Sequence, residues 1–461
     1  MVEQFQQLLK ALEAGSYNQA PSALTQGSAL QIEDLSPVMQ NLTWEDKHIK
    51  LQNSLSVKEA KGQLIQFNRQ LDYGIFGGSA QYEGGIGEED TSSFARSTVP
   101  MAYYSTVRRV SVAANLINPF DGVKAEDRSS NDASKKMMGD IEFDLFKGQS
   151  DFSNAGIFDG NPLAAAAIPN LVGIDAQVRA SDALSNAQDL MFAEYGSDQT
   201  VVIPVNGALS QSVIEDGSVR SAMNQGYADK FMTDPISMSE YNKIAFAKER
   251  IMLAGSPQEA SGANLRRQWT SNSVVEMEAS RFLAGKTRPA RSRAGSPAAP
   301  AAPTPSVSGT AGVIATGTYI YYVTAANERG ESAPSASVSQ AVTLGDQVNL
   351  SIPAVTGAKY FNVYRSSAGG SAATAKYIGR VKASGSGATT FVDLGNRTPG
   401  SVTAFLLQSD TMGIHQLAPL SRLKLAVSDL SLPEATFRFL CLALYQPRKN
   451  VIFENVKGQQ F

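Results

Sequence analysis

The sequence predicts an α+β fold in which a separate all-β sandwich interrupts a mixed host domain. The segment GTYIYYVTAANERGESAPS, residues 317–335, alternates with the period of a strand before it reaches turn residues. Further strand-like runs follow at 358–367, 375–384 and 389–395, with glycine-rich turns between them. Near the C-terminus, residues 437–445 form an almost continuous apolar strand that needs partners from earlier in the chain.

Length and composition narrow the class of protein. The 461 residues are enough for two or three domains, and the charged fraction of 18% with a net charge of −3 disfavours a general nucleic-acid-binding protein. The single cysteine, Cys441, excludes an intramolecular disulfide and is expected to be a small buried hydrophobe in a protein that folds in a reducing cytoplasm. The first residues do not resemble a signal peptide, and the chain has no apolar run long enough for a membrane helix.

The N-terminal segment is expected to be an extended arm. Residues 4–14 carry Phe5, Leu8, Leu9 and Leu12 at helical spacing, and residues 16–57 are then polar and interrupted by prolines. A segment of this length without its own core is uncommon inside a compact domain. We therefore expect it to pack on another element, such as a neighbouring subunit.

A long two-stranded hairpin is expected next. Residues 63–73 and 99–116 are typical of strands, and the segment between them contains a glycine-rich stretch, residues 74–87, followed by three acidic residues, 88–90. An isolated hairpin of this kind is marginally stable in water. The pattern therefore indicates an arm that is stabilised by a second chain.

A long helix follows the hairpin. Met137, Ile141 and Leu145 recur every four residues and predict a helix over 131–147, with Asn131 or Asp132 as its N-cap. Asp140 and Asp144 are expected on a solvated face of this helix, and a glycosidase carboxylate pair is the alternative. A mixed α/β region extends to about residue 285. The basic run between residues 281 and 293 then predicts a solvated hinge, with a phosphate contact as the less favoured interpretation.

The sequence predicts no catalytic, cofactor-binding or metal-binding residues. The segment FLAGKT, residues 282–287, lacks the first glycine of a phosphate-binding loop, because that position is Ser280. The only histidines are His48 and His415, and neither has a second ligand at zinc spacing. His48 is expected to be exposed or to cap a turn, and the chain has no G-x-S-x-G motif.

The strands after residue 317 resemble a fibronectin type III or immunoglobulin-like module, from near Pro303 to near Thr403. The run that begins at Tyr319 is similar to the F strand of that family and its following turn. The resemblance implies that Tyr319 forms a tyrosine corner. Such a resemblance indicates a fold and leaves the chemistry open.

The arrangement of arm, glycine-tipped hairpin, long helix, α/β region and C-terminal strand resembles the major capsid protein of tailed phages, of the Hong Kong 97 type. The segment GIFDGNPLAAAAI, residues 156–168, is similar to the one that follows the spine helix in that family. The resemblance implies an arm over 1–57, an E-loop within 58–120, a spine helix from about 123 and peripheral and axial domains up to 300. The sandwich would span 301–403, and residues 404–461 would complete the capsid core.

This resemblance implies a structural protein without enzymatic activity or cofactors. Copies of the chain would form hexamers and pentamers in an icosahedral shell around the genome, assembled in the host cytoplasm, with the sandwich on the outer surface. Scaffolding, portal and decoration proteins would be further partners. Packaged DNA would be contacted only non-specifically, the sandwich would make weak carbohydrate or host-surface contacts, and no membrane would be involved. Five apolar residues are the expected assembly contacts: Leu35, Trp44, Phe76, Tyr82 and Phe94.

Two other classes fit parts of the sequence. A tail, baseplate or fibre component would use the sandwich to bind carbohydrate. A polysaccharide-active enzyme with an accessory module would also contain a sandwich, but the sequence shows no catalytic constellation for it. Electron microscopy separates these classes as shells or rings, trimeric rods and discrete monomers.

Overall fold

A computed structural model describes the chain with interruptions. The described residues are 45–70, 73–74, 79–87, 89–116, 123–148, 171–183, 200–248, 266–284, 295–309, 312–327, 330–385, 387–395, 397–427 and 429–457. The expected N-terminal helix over 4–14 and the segment 156–168 lie outside them. The chain divides into two compact units: one comprises 1–44, 108–132 and 424–434, and the other comprises 45–107, 133–423 and 435–461.

The described residues form six α-helices and twenty strands. The helices are α1 (Leu51–Ser54), α2 (Val112–Leu116), α3 (Ala125–Lys147), α4 (Ile174–Ala183), α5 (Gln211–Met223) and α6 (Pro235–Lys248). The strands before residue 300 are β1 (Val57–Glu59), β2 (Leu64–Gln70), β3 (Phe94–Pro100), β4 (Ala102–Ser111), β5 (Val202–Gly207), β6 (Lys230–Thr233), β7 (Arg267–Trp269) and β8 (Val274–Ala279). The strands after it are β9 (Thr304–Ser308), β10 (Gly317–Asn327), β11 (Gly330–Glu331), β12 (Val338–Val342), β13 (Gln347–Ile352), β14 (Tyr360–Arg365), β15 (Lys376–Lys382), β16 (Thr389–Asp393), β17 (Val402–Leu407), β18 (Met412–Lys424), β19 (Ser431–Leu444) and β20 (Val451–Val456).

Helix α3 is longer than the apolar spacing predicts. Met137, Ile141 and Leu145 form the expected buried stripe, each with at most 2% of its surface exposed. The helix begins at Ala125, however, so Asn131 and Asp132 lie in its interior and the prediction that one of them caps it is wrong. Acidic residues in the first turn, at 126 and 127, favour this earlier start through the helix dipole.

The expected hairpin is present, but its second strand differs from the prediction. Strands β2 and β3 pair antiparallel, from Leu64 with Pro100 to Gln70 with Phe94. The predicted strand over 99–116 is two strands and a short helix, because β4 leaves the hairpin and joins a four-stranded sheet in the order β1-β18-β19-β4. In this sheet β1 and β18 run parallel.

The host core is built from residues on both sides of the sandwich. A six-stranded sheet has the order β5-β20-β17-β6-β8-β7, with β5 parallel to β20 and β6 parallel to β8. Phe231, Phe405 and Phe453 from three of its strands are fully buried in one apolar cluster. Strand β19 is followed by β20, but the two strands belong to different sheets and do not form a hairpin.

Residues 304–393 form two sheets that share a separate apolar core. One sheet has the order β11-β10-β14-β15, with β12 also paired to β10, and the other has the order β16-β13-β9. Tyr321, Leu350 and Phe361 contribute to the shared core. The hydroxyl of Tyr319 donates to the Ala315 carbonyl at 2.9 Å, the bond expected of a tyrosine corner. Strand F comes late in the immunoglobulin order, whereas β10 is the second strand of the described sandwich, so the prediction that the run at Tyr319 is strand F is wrong.

Candidate assembly surface

The base of the β2–β3 hairpin is held by a small apolar cluster. Val99, Met101 and Cys441 are buried there, and Phe67 packs against them with its ring edge-on to Tyr445 at 5.1 Å. The Met101 amide also donates to the Gln63 carbonyl at 2.9 Å. Cys441 is buried as predicted, and burial raises the pKa of its thiol to about 12. The hairpin is therefore fixed to the host at one end.

The outer part of the hairpin exposes large apolar side chains. Tyr82 is 95% exposed, Ile86 is 93% exposed and Phe94, at the start of β3, is 69% exposed. Two of the five expected contact residues, Tyr82 and Phe94, thus lie on this surface, whereas Leu35, Trp44 and Phe76 lie outside the described residues. Complete burial of one such side chain stabilises an interface by about 1.5–3 kcal/mol. The surface is suited to apolar contact with another molecule.

A buried carboxylate connects the segment before the hairpin to α3. Glu142 has no exposed surface. Its two oxygens accept hydrogen bonds from three successive backbone amides at the start of α1: Lys50 at 3.1 Å, Leu51 at 2.8 Å and Gln52 at 2.9 Å. A negative charge is favoured at a helix N-terminus, where unpaired amides converge. Local sequence pattern does not indicate this contact, although Glu142 lies directly beside the apolar stripe of α3.

One of the two aspartates predicted on a solvated face of α3, Asp144, is buried instead. Asp144 is only 1% exposed, and the Tyr104 hydroxyl donates to it at 2.6 Å. The same hydroxyl accepts from the Leu171 amide at 3.2 Å. Asp144 therefore has a structural role in joining α3 to β4, and the prediction of a solvated position is wrong.

The histidines have structural contacts. The Glu45 amide donates to His48 Nδ1 at 3.0 Å, which confirms the expected capping role. His415 lies 2.9 Å from the Tyr445 hydroxyl, and burial, with a smaller contribution from Lys58, lowers the pKa of its ring. Within the described ranges, no three His, Cys, Asp or Glu side chains are grouped in a way that would hold a metal ion. Nor does any described helix combine the length and apolarity needed to span a membrane.

Comparison with known proteins relates the chain to phage capsid proteins. No family model matches the sequence. The chain is 24% identical over 475 residues to the putative major capsid protein of Enterococcus phage phiEF24C, covering 98% of this chain and 95% of that protein. It is 22% identical over 479 residues to the major capsid protein of Staphylococcus phage K, covering 99% of this chain and 96% of that protein.

Solved structures similar to this chain include the capsid of a native GTA particle computed with C5 symmetry. The TM-score is 0.48 and the identity is 9%, and the alignment covers 95% of this chain and 100% of that chain. The capsid of Cyanophage P-SCSP1u has a TM-score of 0.46 and 10% identity over 95% of this chain and 98% of that chain.

Proposed function

We propose that the chain is the major capsid protein of a tailed phage and has a structural rather than an enzymatic role. The observation that carries this proposal is the sequence similarity to phage major capsid proteins, which spans nearly the full length of both partners. In this proposal, copies of the chain assemble in the host cytoplasm as hexamers and pentamers of an icosahedral capsid shell. Scaffolding, portal and decoration proteins are the further partners.

The hairpin supports a role in joining subunits. Its base is anchored in the host, while Tyr82, Ile86 and Phe94 remain largely exposed. Burial of these side chains against a neighbouring copy would stabilise the assembly. We assign the β2–β3 hairpin the role of the E-loop of the Hong Kong 97 type and α3 the role of the spine helix.

The division into domains follows from this assignment. The proposed segments are an arm over 1–57, the E-loop region over 58–120, the spine helix with the peripheral and axial region over 121–300, the sandwich from 301, and C-terminal strands that complete the core. The sandwich has its own apolar core, and the host core draws residues from both sides of it. The sequence predicts that the sandwich ends at residue 403, but this position falls inside β17, which begins at Val402. We therefore propose 396 as the end of the inserted immunoglobulin-like module. We further propose that this module faces outward on the shell.

Electron microscopy of the expressed chain tests the proposal. Shells, or hexameric and pentameric rings, are expected, whereas a trimeric rod or a discrete monomer would contradict it. Replacing Tyr82 and Phe94 by serine should reduce the yield of assembled particles. Leu344→Ser is the matched control, because Leu344 is 75% exposed on the sandwich rather than on the hairpin. Equal losses of particle yield in the hairpin variant and in Leu344→Ser would show that the exposed apolar side chains of the hairpin have no specific role in assembly.

A further inference from the structure

A very short strand attaches the start of the hairpin to the host. Strand β1 lies just before β2, and all three of its residues are exposed. It runs parallel to β18, where the Ile414 amide donates to the Ser56 carbonyl and the Ala60 amide donates to the Gln416 carbonyl, both at 2.9 Å. Exposed side chains gain little from apolar burial. This attachment therefore depends on its hydrogen bonds and on the side-chain contacts between the two strands.

Three polar side chains meet across this pair of strands. Lys58 and His415 are direct partners in the register. The Lys58 Nζ donates to the Tyr445 hydroxyl at 3.0 Å, and His415 Nε2 lies 2.9 Å from the same oxygen. The Tyr445 ring also meets the ring of Phe67, on β2, edge-on at 5.1 Å. We call Lys58, His415 and Tyr445 the root cluster.

The hydrogen bonds of the root cluster require a neutral histidine. An ammonium group can only donate, so the Tyr445 oxygen accepts from Lys58 and the hydroxyl proton is directed to His415 Nε2. A neutral ring can accept at Nε2, whereas a protonated ring donates from both nitrogens. Protonation would therefore leave the Tyr445 proton without its acceptor. It would also place a second positive charge beside the Lys58 ammonium, and like charges this close repel.

The other groups around His415 do not compensate a second charge. Burial, followed by the charge of Lys58, lowers the pKa of the His415 ring, and no carboxylate of the described residues opposes this effect. The Cys441 thiol of the neighbouring β19 stays neutral, since burial raises its pKa to about 12. Glu59 is the acid next to Lys58 on β1, but successive residues of a strand point to opposite faces.

We propose that the root cluster is a proton-sensitive switch, which holds β1 on β18 while His415 is neutral and releases β1 when His415 is protonated. After release, the hairpin keeps the apolar contacts of Val99 and Met101 but loses the attachment of the segment that leads into β2. The switch stands on the contacts of the root cluster. Only its effect on particle formation rests on the proposed function.

The direction of the response follows from proton linkage. Because the pKa of His415 is below its ordinary value of 6.5, the pairing of β1 with β18 is most stable above pH 6.5 and loses stability as the pH falls below it. One proton changes an opening equilibrium by at most about tenfold per pH unit, so the limit at pH 5 is about thirtyfold. Glu142 acts in the opposite direction, since its raised pKa makes the structure lose stability as the pH rises.

Hydrogen exchange of the full-length chain at pH 8 and pH 5 tests the switch, with protection expressed relative to the intrinsic exchange rate at each pH. The amides of 57–60 and 414–416 should lose about threefold or more of their protection at pH 5, up to the linkage limit. The amides of β20, in the six-stranded sheet, should not respond. His415→Gln keeps an acceptor for the Tyr445 hydroxyl without a titrating ring and should abolish the loss. Lys58→Met removes the neighbouring charge and should reduce it.

His48→Gln is the matched control, because His48 is the only other histidine of the chain and its ring contacts Glu45 instead of the root cluster. This variant should respond like the parent. The switch is overturned if the parent keeps its protection at pH 5, or if His415→Gln loses as much protection as the parent.

Protection of β20 at pH 8 shows whether each variant is folded. If His415→Gln is not folded, Lys58→Met decides, since Lys58 is exposed and its replacement does not disturb a core. An undiminished loss of protection in Lys58→Met would then overturn the switch. Microscopy of the parent at both pH values is scored separately. A chain that forms no shells but shows the His415-dependent response would contradict the capsid proposal and retain the switch.

Discussion

Replacement of Glu142 by alanine should release the start of α1 from α3. The change removes the acceptor of three backbone hydrogen bonds of 2.8–3.1 Å. Hydrogen bonds to a charged group contribute about 1.5–3 kcal/mol each, so their simple sum is about 4.5–9 kcal/mol. Burial of the carboxylate opposes this sum, because burial is the main cause of the raised pKa of Glu142.

The net loss of stability in Glu142→Ala depends on which of the three backbone amides stay buried. Leu51 is 1% exposed, and its amide would lose its acceptor, at a cost of about 1–3 kcal/mol. The amides of Lys50 and Gln52 are partly buried and can exchange the carboxylate for water with a smaller loss. We therefore expect the free energy of unfolding to fall by about 2–4 kcal/mol in Glu142→Ala, and by about half as much in Glu142→Gln, which keeps one acceptor oxygen.

Urea denaturation and hydrogen exchange of residues 49–55 measure these changes. Lys136→Ala, at an exposed position of the same helix, is the control and should be close to neutral. Unchanged protection of 50–52 in Glu142→Ala would refute the reasoning, because it would mean that the burial cost of the carboxylate cancels its three hydrogen bonds.

Three other outcomes are expected. Because the pKa of Glu142 is raised above its ordinary value of 4.5, its stabilising contribution is present at lower pH and is lost as the pH rises through the raised value. The unfolding free energy of the parent chain relative to Glu142→Gln should therefore decrease from pH 4.5 towards neutrality. Asp393→Ala leaves the Arg365 guanidinium, paired with Asp393 at 2.5 Å, buried without its carboxylate, and should destabilise the sandwich by about 3–5 kcal/mol. Hydrogen exchange of the β14 and β16 amides measures this loss of stability. The double variant Asp393→Ala with Arg365→Met should regain most of the protection. Excision of 301–396 with a short Gly/Ser linker should leave assembly intact and reduce the outer diameter of the particles; aggregated host or an unchanged diameter would contradict it.

Local patterns in the sequence predict the elements but leave their partners undetermined. The stripe from Met137 to Leu145 and the alternation after Tyr319 are each set by neighbours within a few residues, and both are confirmed. The pairing of β3 with β2, and of β4 with a different sheet, depends on contacts between distant segments. The sequence alone does not determine these pairings, because the two-residue alternation of apolar and polar side chains is compatible with many partner strands.

The buried carboxylates illustrate the same limit for side chains. Glu142 and Asp144 look like ordinary solvated residues of a helix, since charged side chains are rarely buried unless they are paired. Their partners are the amides of 50–52 and the Tyr104 hydroxyl, which are about 40 to 90 positions away in the chain. Only the packed structure brings these donors to the helix.

The host sheet explains why the sandwich should be removable. Strands β8 and β17 lie on opposite sides of β6, and the end of β8 is level with the end of β6, since Ala279 pairs with Thr233. Strand β17 runs antiparallel to β6, with Leu407 opposite Lys230, so its first residues lie at the same end of the sheet. Strand β8 therefore ends and β17 begins at the same end of the sheet, with one strand between them, a separation of about 10 Å at about 4.8 Å per strand.

The shortened chain keeps residues 280–300 and 397–401 between these two strands, and together with a linker of a few residues they are long enough for that separation, because an extended chain covers about 3.3 Å per residue. Residues 397–401 should remain in the shortened chain. The Thr398 amide donates to Asn455 Oδ1 at 3.0 Å and Ser401 also contacts that side chain, so these residues belong to the host. A shorter cut that keeps these bonds should assemble better than one that extends to 403, which also removes Val402 from its pairing with Val456. Equal assembly of the two shortened chains would show that this pairing and the Asn455 contacts contribute nothing to the host.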